Sequence, residues 1–342
     1  MFDFMTGSHC RRGLMRAFLA ASLSLLMAAE ARAADRAPLV VEAKIPLGEV
    51  HGRIDHLGVD VKRHRLYVAE LGNDSVGVVD LQAGKTIRTL AGLKEPQGIG
   101  YDGPTDTLYV ANDSDGSVRL FKGEDLSPLG RIDLGDDADN VRIEEAAHQV
   151  WVGYGSGALA IIDANSRRKV MDIPLKAHPE SFRFAPAGSL IYVNVPNNGE
   201  IAVVDRSSKK QIASWKTREL RSNYPLALDE SGNVLAVFRH PARLAVFRAQ
   251  DGKRLQALET CGDSDDLFVD SKRHRVYVTC GEGFVDVFSR AANGYQQTGK
   301  LETSSGARTS LFVPELDRLY LAVRAGLSTP PSIWVVRPES GP

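Results

Sequence analysis

The sequence predicts an all-β chain folded as a seven-bladed β-propeller, with four antiparallel strands per blade. Three observations carry that expectation. One phrase of two short strands and a polar loop recurs along the chain, its copies lie close to 42 residues apart, and turn-forming residues break every copy into runs too short for helices.

The phrase is clearest at residues 66–81, LYVAELGNDSVGVVDL. Leu66, Tyr67, Val68 and Ala69 form a β-prone run, Gly72, Asn73 and Asp74 supply a turn, and Val76, Val78 and Val79 form a second run. Aligned on its aromatic position, the phrase recurs at Tyr67, Tyr109, Trp151, Tyr192, Tyr277 and Tyr320, and a degenerate copy at 235–237 puts Ala236 in that slot. The steps are 42, 42, 41, 44, 41 and 43 residues. Each unit reads as four short strands; in the second they fall at 97–101, 108–111, 118–121 and 129–134. A lone four-stranded sheet cannot bury both its faces, so such units stack radially and the ring must close. The seventh unit supplies strands at 310–314, 319–323 and 333–336 and then stops. Its missing fourth strand is expected from the other end of the chain, where 40–47 resembles 170–175, the fourth strand of unit three. The N-terminal strand should therefore complete the last blade.

Residues 1–33 read as an export signal rather than as fold. Arg11, Arg12 and Arg16 precede an apolar stretch at 17–29, and Ala31-Arg32-Ala33 fits a cleavage site after Ala33. The pair Arg11-Arg12 leaves both Sec and twin-arginine export open. The apolar run falls short of the roughly 20 residues a spanning helix needs. The expected mature chain is a single propeller domain, 34–342, periplasmic or secreted, with no membrane span. Removing 1–33 takes out four of the 42 basic residues and two of the 43 acidic ones, leaving a net charge of −3. Nucleic acid and anionic lipid are not the expected partners of such a surface.

Leu108-Tyr109-Val110-Ala111-Asn112 followed by Ser117-Val118, and Leu66-Tyr67-Val68-Ala69 followed by Val78-Val79-Asp80, resemble the YVTN-type propeller repeat. The whole expected mature chain resembles the exported seven-bladed YVTN/YncE-like family, with WD40-like repeats, inside the group that includes quinoprotein-amine-dehydrogenase-like propellers. The resemblance implies the fold. It leaves function open, because this architecture hosts binding modules, lactonases and redox enzymes alike.

In a propeller the d–a and b–c loops share one face and the a–b hairpins the other. The two near-identical hairpins Lys62-Arg63-His64-Arg65 and Lys272-Arg273-His274-Arg275 fall on the second face and read as solvated turns. Twelve residues before each aromatic slot lies the entrance to an innermost strand, where the strands converge on the axis. Those positions are Asp55, Gln97, Asp139, Glu180, Tyr224, Asp265 and Arg308. With neighbours such as Arg53, His56, Asp137 and His178 they form a candidate binding ring around the mouth of the channel. The competing reading is that these residues cap free amides at strand ends, as Asp, Asn and Ser do in many β proteins.

Two loops of this ring, 135–140 and 262–266, resemble each other. Their Asp136, Asp139, Asn140, Asp263, Asp265 and Asp266 offer the oxygen ligands that suit Ca²⁺, although no cofactor is required by the sequence. His51, His56, His178 and His240 are assigned to the same face, which keeps a mixed His/carboxylate site open. No G-x-S-x-G elbow or phosphate-binding loop is present. A lactonase-like mechanism would instead draw on Glu180 and His178 as acid/base groups and Arg308 as the cation for a developing oxyanion. With Cys10 removed, Cys261 and Cys280 are left to form one disulfide, or to remain two thiols. The bridge requires Gly262 to fold Cys261 back, since it lies about four residues past strand register. The expected function is a monomeric binding module that takes a small polar ligand or a protein partner at its mouth. The alternative is an enzyme on the same face, a lactonase-like hydrolase or a quinone- or redox-associated protein.

Overall fold

A computed structural model describes residues 1–2 and 37–340. The export-signal reading of 1–33 falls almost wholly outside these residues. The described chain forms seven four-stranded antiparallel sheets, which we number as blades one to seven with strands a to d from the axis outward. Among the described residues no helix is long and apolar enough to cross a membrane.

Blade one illustrates the plan: strand a is Leu57–Asp60, b is Arg65–Glu70, c is Ser75–Asp80 and d is Lys85–Ala91. Six blades take their strands consecutively. In the seventh, the innermost strands Ser310–Val313, Arg318–Val323 and Ser332–Pro338 are completed by Leu39–Pro46. That strand pairs antiparallel with Ser332–Pro338, from Leu39 opposite Pro338 to Pro46 opposite Ser332. It carries a bulge between Val41 and Ala43. Every other c–d pair carries a bulge as well, for example between Val78 and Val79 in blade one and between Ile161 and Ile162 in blade three. The bulged Glu42 accepts bonds from Arg318 at 2.6 Å and Arg337 at 2.5 Å.

The strand period of two explains why the aromatic slot recurs. Strand b is buried on both faces, so alternate residues enter different seams between blades. Leu66 and Val68 pack toward blade seven, whereas Tyr67 and Ala69 pack toward blade two. Seven hydrophobic clusters result, one in each seam of the ring. Tyr67, Tyr109 and Tyr277 are fully buried there. Blade five corrects the expected slot. Ala236 packs toward blade four with Val234 and Phe238, while Leu235 and Val237 pack toward blade six. Leu235 therefore occupies the slot, because the a–b hairpin of this blade is one residue shorter than that of blade two (Leu226 pairs with Ala236, Ile99 with Val110).

The Lys-Arg-His-Arg hairpins are not merely solvated turns. His64 and His274 adopt φ of 50° and 53°, a left-handed turn position that Asp and His tolerate better than most residues. The preceding arginines reach into the next blade: Arg63 bonds Asp60 at 2.7 Å and Asp106 at 2.8 Å, and Arg273 bonds Asp270 at 3.0 Å and Asp317 at 2.6 Å. The repeated phrase is thus an inter-blade clasp, and the Arg273 side chain is only 8% exposed.

Cys261 and Cys280 are joined by a disulfide with a Cα–Cα distance of 5.9 Å. Cys280 pairs with Ser264, the ladder continues through Asp263 and Gly262 to Gly281 and Glu282, and the Cys261 amide donates to Asp286 at 2.8 Å. Closing a loop of 19 residues' separation restricts the unfolded chain by about 3 kcal/mol. The double variant Cys261→Ser/Cys280→Ser is expected to lose that much stability in denaturant titrations. An unchanged midpoint would show that the bridge contributes nothing to the native state.

Candidate functional site

The mouth is shaped by a second set of bulges, on the innermost strands. The a–b ladder is interrupted between Pro96 and Ile99, Ala138 and Val141, Asn223 and Leu226, and Ser264 and Asp266. The residues left out of pairing include Gln97, Asp139, Tyr224 and Asp265, and a bulge re-aims such side chains. In blades one, four and seven strand a begins later, and Asp55, Glu180 and Arg308 occupy the equivalent position. Tyr224 holds its place in the ring although blade five's slot is Leu235, because the shorter hairpin offsets the shift. Backbone closeness matters too: a Cβ built on Gly98 would lie 2.0 Å from the Asp139 carbonyl oxygen, so glycine alone lets blade two approach this point.

Two charge groups emerge. In the first, Arg53 bonds Asp55 at 2.6 Å. His56 Nε2 lies 3.7 Å from Asp55 and 4.0 Å from Asp139, and its Nδ1 lies 3.6 Å from Asp266. His178 donates from Nδ1 to the Gly155 carbonyl at 2.7 Å, leaving Nε2 4.0 Å from Asp139. Asp139 and Asp55 are almost wholly buried, at 4% and 1% exposed. In the second group Arg308 bonds Asp263 at 2.9 Å and faces Asp265 at 3.3 Å, and Arg239 bonds Asp265 at 2.7 Å while lying 4.0 Å over the Tyr224 ring. Gln97 is buried in its place on the ring.

Strand-end capping does not account for the arrangement. Asp266 does accept the Ser310 amide at 2.8 Å. Asp55, Asp139 and Asp265, in contrast, take side-chain donors, from Arg53, Asn140 and Arg239. The Oδ1 of Asp139 is buried without any hydrogen-bond partner, which is costly unless something else faces it.

The protonation of several groups of the site is shifted by burial, reinforced in places by neighbouring carboxylates. Burial, reinforced by Asp139, pushes Glu180 up to about 8. Burial likewise pushes Asp137 and Asp265 up to about 6 and raises Asp55. Burial opposes charge on His56, yet Asp266, Asp55 and Asp139 together push it up to about 10. His178 rises to about 9 against burial, through Asp139 and Asp137. Asp139 is held below its ordinary value despite burial, because His178 and His56 face it.

The six oxygen-bearing side chains expected to suit Ca²⁺ are not gathered into one cage. Asp263 and Asp265 are clasped by arginines, Asp266 faces His56, Asn140 accepts from Arg142 at 2.8 Å, and Asp136 is exposed. The loops stand three blades apart, and His56 lies between them, facing Asp139 of one and Asp266 of the other. Among the described residues the one set of three ligating side chains with donor atoms within 4.8 Å of one another is Asp139, His178 and Glu180. One nitrogen and two carboxylates suit a borderline transition metal better than the six to eight oxygens of Ca²⁺. The catalytic trio of Glu180, His178 and Arg308 is split: the first two adjoin, while Arg308 is engaged by Asp263 and Asp265. His51 and His240 lie exposed, outside the cluster.

No protein-family model matches this chain, and no curated protein sequence matches it. Solved structures do. Hydrazine synthase from Kuenenia stuttgartiensis superposes with a TM-score of 0.71 at 15% identity, covering 84% of this chain and 100% of that one. A chain of the mitotic checkpoint complex superposes with a TM-score of 0.74 at 14% identity, covering 89% of this chain and 94% of that one. The chain shares their propeller fold. At such identities nothing more is carried across, and the mouth must be interpreted from its own residues.

Proposed function

We propose that this chain is an exported binding module of the YVTN/YncE-like kind, which takes a small polar ligand bearing positive charge at the mouth of its channel. The repeat phrase and the signal-like residues 1–33 support the family and the export. One observation carries the binding reading: carboxylates converge on Asp139, whose buried Oδ1 makes no hydrogen bond and has His56 Nε2 no nearer than 4.0 Å, beside a Glu180 that burial and Asp139 keep protonated at neutral pH. An amine or a divalent cation seated against Asp139 and Glu180 supplies that charge and expels the Glu180 proton. Amine affinity therefore rises as pH approaches 8, whereas a divalent cation that also takes His178 must displace its proton too and gains affinity up to about pH 9. The hydrolase alternative is less well supported, because the arginine it needs is already clasped by two carboxylates.

The test is a thermal-shift titration with Zn²⁺, Mn²⁺, Ca²⁺ and a panel of small mono- and diamines, on the wild type and on Asp139→Asn/Glu180→Gln. At least one probe should raise the wild-type midpoint by several degrees and leave the double variant unmoved. A wild type indifferent to every probe, or a double variant that responds equally, overturns the reading.

A further inference from the structure

Three residues deeper than the mouth ring lies another ring of equivalent positions on the innermost strands, which the entrance rule did not reach. It consists of Gly58, Gly100, Arg142, Arg183, Ala227, Phe268 and Leu311, as the a–b registers of the seven blades show. Five of these are small or apolar, as expected where strands crowd an axis. Blades three and four place arginines there instead.

Both arginines border a cavity of about 260 Å³ on the axis, otherwise walled mainly by glycine and apolar side chains. Arg142 is held by neutral oxygens, donating to the Val141 carbonyl at 2.8 Å, Phe182 carbonyl at 3.2 Å, Asn140 Oδ1 at 2.8 Å and Ser181 Oγ at 3.3 Å. Arg183 donates from Nη1 to the Phe182 carbonyl at 3.0 Å and to Ser181 Oγ at 3.4 Å. Among the described residues neither guanidinium has a carboxylate within 4.0 Å, and the Nε and Nη2 of Arg183 have no acceptor. Among the described residues the one carboxylate bordering the cavity, Asp266, is occupied by the Ser310 amide and by His56. Burial and the neighbouring Arg183 hold Arg142 well below its ordinary value. The two guanidiniums are half-buried, and two like charges held side by side in a narrow channel without a counter-ion are unfavourable. Planar guanidinium forks answer an oxyanion geometrically as well as electrostatically.

We propose that the channel binds a small oxyanion of the phosphate or sulfate type between Arg142 and Arg183. The site shares His56 and Asp266 with the edge of the mouth, but the proposal rests on Arg142 and Arg183 and not on the cation-binding reading. Isothermal titration with inorganic phosphate and with sulfate, at low ionic strength and against chloride of matched ionic strength, tests it. The wild type should bind at least one oxyanion that chloride does not mimic. Arg183→Gln should weaken that binding at least tenfold, and Arg183→Lys, which keeps the charge but loses the fork, by less. Arg142→Gln should also weaken it, but its four internal bonds make Arg183 the variant that decides, with circular dichroism confirming the fold. No binding beyond the chloride control, or equal binding by Arg183→Gln, overturns the proposal.

Discussion

A chain lacking residues 37–47 loses its cooperative melting transition. The deleted strand buries Leu39, Ile45 and Leu47 to 4% exposure or less, and they enter the two seams that flank blade seven. Burying three aliphatic side chains of this size is worth about 5–9 kcal/mol, comparable with the whole stability of a typical domain. The deletion also strips Ser332–Pro338 of its ladder partner and leaves an open edge for association. Circular dichroism melts and light scattering of the truncated and full chains check this. A truncated chain that melts within a few degrees of the full one, without aggregating, would mean that the ring does not depend on its closing strand.

The second large effect is on stability against pH. Several groups of the mouth titrate higher in the fold than in the unfolded chain, and three of them reach above neutral pH: His56 moves from 6.5 to about 10, His178 from 6.5 to about 9, and Glu180 from 4.5 to about 8. A raised group binds its proton more tightly when folded, so its contribution is complete below the unfolded value and disappears as pH rises through the folded one. The Glu180 share fades between pH 4.5 and 8 and the histidine shares between 6.5 and 10. The melting midpoint should therefore fall steadily from pH 6.5 to pH 10, with His56 alone accounting for on the order of 3 kcal/mol. His56→Gln should be less stable than the wild type at pH 6 and show a shallower alkaline decline. Flat wild-type midpoints across this range, or a variant with the full slope, would contradict the assigned charge network.

The fold could be read from the sequence because a propeller writes its period into every blade. The slot residues are large and fully buried, so their spacing survives wherever the chain keeps them, and the closing strand betrayed itself by resembling 170–175. Blade five shows where such counting fails. With Ala236 and Leu235 both apolar, nothing in the sequence distinguished the two faces of a strand buried on both, and a one-residue shorter hairpin moved the slot unnoticed. The ring positions Asp55, Asp139, Glu180 and Asp265 followed from register, but which carboxylate meets which cation depends on bulges and rotamers. The pairing of Arg239 with Asp265 and the engagement of Arg308 by Asp263 and Asp265 were therefore beyond reach, whereas the three-blade spacing of the two Asp-rich loops already argued against a shared ion. Arg142 and Arg183 were within reach: they stand nine residues before Trp151 and Tyr192, a count the same ruler permits.

The order in which the molecule can assemble follows from how it closes. Leu39 pairs with Pro338, so the strand nearest the start of the described chain has no sheet to join until nearly all of the chain has been made. Blades one to six draw their strands from consecutive stretches and can form as local units, each seam consolidating as the next blade arrives. Blade seven cannot. The earliest strand is the last to dock, and the conversion of an open arc of blades into a ring is a single late event spanning the full length of the polypeptide.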